Sequence, residues 1–177
     1  IADNWRLIKS KLREGSQCGA VVKANAYGLG VDRIAPKIYG AGCRHFFVAN
    51  GKEAIQLRSL IGLDAHIYVL SGCIEGAEAA FVNRNLTPVI VSVPMLKRWA
   101  NYAKSLPEGE IGTAVLKINT GMGRLGLELS DCEFLLENDC ELLGDARIRM
   151  LMSHLACADD HAHPLNQKQL QRFQDFC

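Results

Sequence analysis

Short apolar runs alternate with amphipathic stretches along the chain. The runs span about five residues and are rich in Val, Ile, Leu or Phe, as expected for strands whose two faces are both covered. We predict strands at residues 18–22, 45–49, 66–70, 86–91, 114–118 and 147–154. Helices are predicted between them at residues 31–39, 51–61, 75–84, 93–104, 129–143 and 166–177. A helix therefore follows a strand six times.

The second predicted helix shows how such a helix would cover a sheet. Its apolar positions recur at helical spacing and form one face. The charged positions are then predicted to face water, and they are Lys52, Glu53 and Arg58.

Repeated strand-helix units predict an α/β fold with a parallel sheet. The right-handed crossover rule leaves two main closures, an open doubly wound sheet or a (β/α)8 barrel. Periodicity alone does not choose between them. Residues 106–112, with a proline and two glycines, are predicted to be a connecting loop.

Composition narrows the class of protein and partner. The 177 residues are 49% hydrophobic and 22% charged, which is typical of a soluble globular chain. The formal net charge is +1 and the basic residues form no run, so no nucleic-acid or membrane partner is expected. The apolar stretches are too short to cross a bilayer, and the first residues lack a signal-peptide pattern. We expect a cytoplasmic protein with a small-molecule partner.

The cysteines predict reduced thiols and no metal site. There are seven, an odd number, and no two form a C-x-x-C pair. Cys157 follows His154 by three residues, but without further ligands this spacing is a weak zinc signal.

A lysine at the end of the first predicted strand is the main candidate for chemistry. Lys23 closes that strand, where ligands bind in α/β folds. Partial desolvation there makes an amine a better nucleophile toward an aldehyde. The residues after it are small and flexible, which leaves room for a bulky ligand, and Tyr27 offers a hydroxyl to an anion.

Residues 20–30, AVVKANAYGLG, closely resemble the attachment motif for pyridoxal 5'-phosphate (PLP) in alanine racemases, enzymes of fold type III. The resemblance implies that Lys23 carries the cofactor as a Schiff base and serves as a catalytic acid or base. It also implies that Tyr27 binds the cofactor phosphate.

Residues 116–126, LKINTGMGRLG, are similar to a second motif of the same family. A planar guanidinium in a glycine-rich loop can receive a carboxylate through two hydrogen bonds. By resemblance, Arg124 and Met122 bind the substrate, and Lys117 is a candidate for carbamylation. Many relatives have aspartate where this chain has Asn119, so we expect some loop hydrogen bonds to differ.

A third match is residues 150–156, MLMSHLA, where His154 again follows a strand. The resemblance places His154 against the cofactor ring. The order and spacing of the three motifs agree with the family, and this resemblance favours the barrel over the open sheet. Residues 1–177 would then form about six of the eight strand-helix units of a TIM-type barrel. The family's C-terminal β-domain would then be absent, together with a catalytic tyrosine given across a homodimer.

The implied function is the interconversion of L-alanine and D-alanine by two-base proton transfer, which supplies D-alanine for peptidoglycan. We expect the segment alone to be inefficient or inactive. One alternative is a serine or broad-specificity amino-acid racemase. Another is a non-catalytic PLP-homeostasis barrel, against which the intact motif from Lys117 to Gly126 argues.

Overall fold

The structure of the chain is a computed structural model that describes residues 1–107, 110 and 112–176. It forms two compact units, Ile1–Pro88 and Val89–Cys177. The boundary falls within a strand, so that strand contributes residues to both units.

The first unit contains parallel strands that alternate with helices. Its elements are α1 (Ala2–Ser10), β1 (Ala20–Val21), α2 (Lys23–Tyr27), α3 (Val31–Gly40), β2 (His45–Val48), α4 (Gly51–Arg58), β3 (His66–Val69), α5 (Glu78–Asn83) and the beginning of β4 (Leu86–Ile90). Strand β1 pairs with β2, β2 with β3, and β3 with β4, all in parallel. The strands therefore follow chain order.

The second unit continues the same alternation. It contains the end of β4, then α6 (Val93–Lys104), β5 (Ala114–Lys117), α7 (Leu129–Asn138), α8 (Cys140–Asp145), β6 (Ile148–Met152) and α9 (Pro164–Phe176). Strand β5 lies between β4 and β6 and is parallel to both. The ends of β5 and β6 therefore lie at one edge, where the residues after them can meet.

Each unit has a core between its strands and helices. In the first unit, Phe46 of β2 and Leu57 of α4 are fully buried. In the second unit, β5 is buried along its length, and α6 packs Leu96 and Trp99 inside. Full burial of such a side chain stabilises the fold by about 1.5–3 kcal/mol.

The predicted fold class is confirmed. The described residues contain six parallel strands, with a helix after each of them. Among the described residues, β1 pairs with β2 alone and β6 pairs with β5 alone, as an incomplete barrel requires.

Most predicted elements are confirmed with small changes at their ends. The predicted helix 129–143 is instead two helices, because the backbone leaves the helical region at Asp139, with φ −153° and ψ 45°. The sequence pattern also did not predict α1. This helix buries Trp5, and the indole of Trp5 donates a hydrogen bond to the carbonyl of Cys18 at 3.2 Å. The predicted loop 106–112 and the predicted helix end at 177 lie partly outside the described residues.

Arg58 was predicted to face water, and the structure shows it half-buried with several backbone partners. Its guanidinium donates to the carbonyl oxygens of Gly62, Ala65, Arg84 and Asn85 at 2.7–3.0 Å. Burial lowers the pKa of Arg58, because the charged form loses water. The Arg58 guanidinium therefore connects the end of α4 to the turns that precede β3 and β4.

Candidate active site

Lys23 lies directly beyond the first strand, as predicted. Strand β1 ends at Val21, and Lys23 begins the next segment with its side chain partly buried. Its Nζ is 5.9 Å from the centroid of the Tyr27 ring, whose side chain is 61% exposed. The structure therefore brings together two of the three residues predicted to bind the cofactor, and the third, His154, lies in the second unit.

The segment that carries Tyr27 is a left-handed turn. Residues 24–27 have φ between 51° and 56°, a conformation that costs about 1–2 kcal/mol for each non-glycine residue. The turn is closed by a 3.0 Å hydrogen bond from the Gly28 amide to the Ala24 carbonyl. The Asn25 side chain accepts a further one from the Val31 amide at 2.8 Å. Strain of this kind persists only where the surroundings impose it.

Glu53 is part of those surroundings, and its half-buried side chain binds backbone groups as well as facing water. Its Oε1 accepts a hydrogen bond from the Ala24 amide at 3.0 Å, and its Oε2 accepts one from the Ala49 amide at 2.8 Å. The Glu53 amide is in turn capped by the Asn50 side chain at 3.1 Å. Helix α4 thus holds the start of the left-handed turn against the end of β2.

Lys117 is the last residue of β5, and its side chain is only 7% exposed. Its carbonyl accepts a 2.8 Å hydrogen bond from Leu127, and Ile118 forms a bridge with the same residue. The loop 119–126 therefore leaves the strand and returns to it. Lysine is almost never buried for packing alone, which makes Lys117 a candidate for chemistry.

Asn119 organises that loop. Its Oδ1 accepts from the amides of Gly121 and Gly123 at 3.1 and 2.9 Å, and its Nδ2 donates to Glu128 Oε1 at 2.8 Å. An aspartate could accept the two amide bonds, but it could not donate to a carboxylate. The asparagine therefore suits a loop that has Glu128 beside it.

Gly126 lets the loop close on its own base. Its φ is +128°, and a Cβ placed there would lie 2.8 Å from the Asn119 backbone nitrogen. No side chain can be accommodated against backbone at that distance. Within the loop, Met122 is half-buried and Arg124 is exposed, so the arginine is accessible to a ligand.

His154 lies two residues beyond the end of β6 and is exposed. The preceding Ser153 donates to the Ile118 carbonyl at 3.1 Å and is 2.7 Å from the Thr120 hydroxyl. These contacts join the ends of β5 and β6. The structure therefore brings His154 beside the base of the loop that carries Met122 and Arg124.

A cavity of about 520 Å³ adjoins His154. Its walls include Thr120, Ser153, His154, His161, Asn166 and Phe173.

Among the residues that the structure describes, no group of three or more His, Cys, Asp or Glu side chains is placed to hold a metal ion. None of the described helices is long and apolar enough to span a membrane.

Comparisons with known proteins bear on the family and the fold. A family model described as "Alanine racemase, N-terminal domain" matches residues 1–177. The chain belongs to this family. The fold of an alanine racemase barrel domain, which the sequence motifs predicted, is thereby confirmed.

Individual alanine racemases are similar over nearly the whole chain. That of Rhodospirillum rubrum is 42% identical over 173 residues, which are 98% of this chain and 46% of that protein. The catabolic alanine racemase of Agrobacterium fabrum is 41% identical over 170 residues, 96% of this chain and 43% of that protein. The chain therefore spans about half the length of the curated alanine racemases it matches.

A crystal structure of alanine racemase from Bartonella henselae with covalently bound pyridoxal phosphate has the same fold. The TM-score is 0.91 at 34% identity, and the match covers 99% of this chain and 50% of that one. The left-handed turn and the β5 loop therefore belong to a fold shared with alanine racemases.

Sequence reasoning missed the residues that hold these alanine racemase motifs in place, above all Glu53 and Gln169. Glu53 follows Asn50 by three residues, a spacing typical of a helix start, and this signal was present. Gln169 lies between Leu165 and Phe173 at helical spacing, and a polar residue within an apolar stripe indicates a buried partner.

Proposed function

We propose that this chain is the cofactor-binding barrel part of a longer PLP-dependent racemase that interconverts L-alanine and D-alanine. In this proposal residues 1–177 are one barrel domain, and a C-terminal β-domain completes the enzyme. Family membership and coverage of about half of the related racemases support it.

The observation that carries the proposal is the environment of Lys23. A primary amine stands partly buried at the carboxyl end of a parallel strand, beside an exposed tyrosine, on a turn fixed by Glu53. Strained backbone of this kind clusters at functional sites, so the turn beside Lys23 supports a ligand-binding role for its amine.

The residues present fit PLP. The Lys23 amine can bind the aldehyde carbon, and the Tyr27 hydroxyl can donate to the phosphate. The space around Gly28 is open, since a Cβ there would meet nothing within 4 Å. We assign His154 to the face of the cofactor ring. When bound, PLP supplies an electron sink for negative charge at the α-carbon of the substrate.

Lys23 is also the proposed acid or base for one face of the substrate. With PLP and alanine bound, the Nζ of Lys23 would remove the α-proton from the substrate or return it. Racemisation requires a second group on the opposite face. Neither Tyr39 nor Tyr68 suits that role, because the first is hydrogen-bonded to Asp64 and the second is packed against Phe47. We assign the second group to a tyrosine outside this chain, from the other subunit of a homodimer.

Arg124 and Met122 are the proposed substrate-binding residues. The exposed guanidinium of Arg124 can hold the alanine carboxylate, and the Asn119 network keeps its loop in place. We propose that the buried Lys117 amine adds to carbon dioxide, which releases one proton and leaves a carbamate. The negative charge of that carbamate would orient Arg124.

The setting of the enzyme is part of the same proposal. We propose a cytoplasmic enzyme that supplies D-alanine for peptidoglycan. A serine or broad-specificity racemase would share Lys23 and Arg124. A non-catalytic PLP-homeostasis barrel would need neither a substrate arginine nor the ordered loop around it.

The test is racemisation by the full-length protein, measured by chiral chromatography with alanine, serine and lysine as separate substrates. We expect alanine to give the highest kcat/KM, and Arg124→Ala to raise the KM for alanine by about tenfold or more. Equal or greater activity on serine or lysine would favour broad specificity. PLP binding without racemisation of any of the three would favour the homeostasis role.

A further inference from the structure

Gln169 is a buried polar residue that the proposed chemistry does not use. It belongs to α9, and only 1% of its surface is exposed. Its Nε2 donates to the His154 carbonyl at 2.9 Å, and its Oε1 accepts from the Ala156 amide at 2.8 Å. One amide group therefore holds the backbone on both sides of Leu155, directly beyond His154.

The same side chain reaches the loop that follows β5. Gln169 Nε2 is 3.0 Å from the Thr120 hydroxyl, which is itself buried and lies 2.7 Å from Ser153 Oγ. Arg172, three residues further along α9, donates to the Thr120 carbonyl at 3.0 Å. Helix α9 thus holds the base of the loop that carries Met122 and Arg124.

The chemistry of an amide explains why glutamine occupies this position. It offers donors to a carbonyl and a hydroxyl, and it accepts from a backbone amide at the same time. A glutamate would place a carboxylate against the His154 carbonyl, and a leucine would remove the amide that the His154 carbonyl, the Thr120 hydroxyl and the Ala156 amide all contact. A buried polar group that loses its hydrogen-bond partner is costly, so we expect the position to tolerate neither change.

We propose that Gln169 is a positioning residue that fixes the His154 backbone relative to the loop of Arg124. In this role it needs no contact with the substrate or the cofactor. It acts through Thr120, Ala156 and the His154 carbonyl, and so sets the geometry between the group assigned to the cofactor ring and the group assigned to the substrate carboxylate. This inference rests on the function proposed above.

The experiment compares variants of the full-length protein loaded with PLP. Gln169→Leu removes the amide at nearly constant volume, and Gln169→Glu keeps the shape but loses the donors. Gln171→Ala, on an exposed position of the same helix, is the matched control. The measurements are the dissociation constant of PLP by absorbance titration, kcat and KM for alanine, the melting temperature, and hydrogen exchange of residues 153–157.

We expect both Gln169 variants to raise the KM for alanine and the dissociation constant of PLP by roughly tenfold or more, since small displacements of positioned groups are costly. The amide of Ala156 should exchange faster than in the wild type. The control should match the wild type in every measurement.

Thr120 provides a second test if the Gln169 variants fold poorly. Thr120→Ser keeps the hydroxyl and Thr120→Val removes it at constant shape. We expect the valine variant to show the larger rise in KM, and the double variant Thr120→Val with Gln169→Leu to be little worse than Gln169→Leu alone.

The inference is overturned if the Gln169 and Thr120→Val variants lower the melting temperature but leave KM and PLP affinity at wild-type values. That result would assign Gln169 to stability alone. Failure of the wild-type protein to bind PLP would overturn the proposed function and this inference together, and the wild-type titration reports it before any variant is compared.

Discussion

At the scale of single residues, the features that matter most in this chain are polar groups with several backbone partners. Glu53, Arg58, Asn119 and Gln169 each bind at least two backbone groups, which for Asn119 lie in its own loop. Such side chains replace the water that the backbone would otherwise bind. Their removal therefore costs more than the loss of an average surface contact.

Arg58 gives a direct test of this view. We expect Arg58→Met to lower the free energy of unfolding by about 2–4 kcal/mol, because the carbonyls of Gly62, Ala65 and Asn85 lose their donor in a partly buried place. The measurement is urea unfolding followed by circular dichroism. The exposed neighbour Lys52→Met serves as control, and equal stability of the two variants would show that the Arg58 hydrogen bonds contribute nothing.

The buried thiol of Cys132 should make the stability of the fold depend on pH. Burial, and then the neighbouring acidic residues, raise the pKa of its thiol from 9.0 to about 11. Above pH 9 the unfolded chain ionises at this position while the folded chain does not, so stability falls as pH rises. At pH 10 the loss is about 1 kcal/mol.

We expect Cys132→Ala to lose less stability between pH 8 and pH 10 than the wild type. Cys140→Ala, which changes an exposed thiol, should keep the wild-type slope. The measurement is the free energy of unfolding of each protein at pH 8 and at pH 10. The same change between the two pH values in all three proteins would contradict a raised pKa for Cys132.

At the scale of elements, the strained turn after β1 depends on a helix that follows β2. Residues 24–27 are left-handed without glycine, and α4 reaches them through the Glu53 carboxylate. The same carboxylate holds Ala49 at the end of β2. Two segments that are distant in sequence are thus fixed relative to each other just where Lys23 leaves the sheet.

Removal of this carboxylate should disturb Lys23 before it disturbs the fold. We expect Glu53→Ala to raise the dissociation constant of PLP by about tenfold, with a smaller effect for Glu53→Gln, which keeps one acceptor oxygen. Absorbance titration measures this, with Gln56→Ala on the exposed side of α4 as control. An unchanged PLP affinity in Glu53→Ala would mean that the left-handed turn at residues 24–27 keeps its conformation without Glu53.

At the scale of the whole molecule, the sequence pattern was sufficient for the alternation of strands and helices and for the family. The helix Val93–Lys104 has the predicted bounds, because its capping serine and its apolar face are both local signals. The break at Asp139 was not predicted. The left-handed turn was not predictable, since it depends on a hydrogen bond to Glu53 in α4. Gln169 was missed for the same reason: its partners lie 13 to 49 residues away in the chain.

The predicted site residues fall into the two compact units. Lys23 and Tyr27 lie together in the first unit, and the loop of Arg124 lies beside His154 in the second. Each group is held by polar contacts that packing alone does not require. We propose a ligand-binding role for both groups, and the proposed chemistry depends on Lys23.

The most direct test is therefore to locate the covalent attachment of the cofactor. The full-length protein is incubated with PLP, reduced with borohydride, digested and analysed by mass spectrometry, with Lys23→Ala and Lys52→Ala treated in parallel. We predict a pyridoxyl group on Lys23 in the wild type and in Lys52→Ala, and its absence at that position in Lys23→Ala. A folded wild-type protein labelled at another lysine, or at none, would contradict the account.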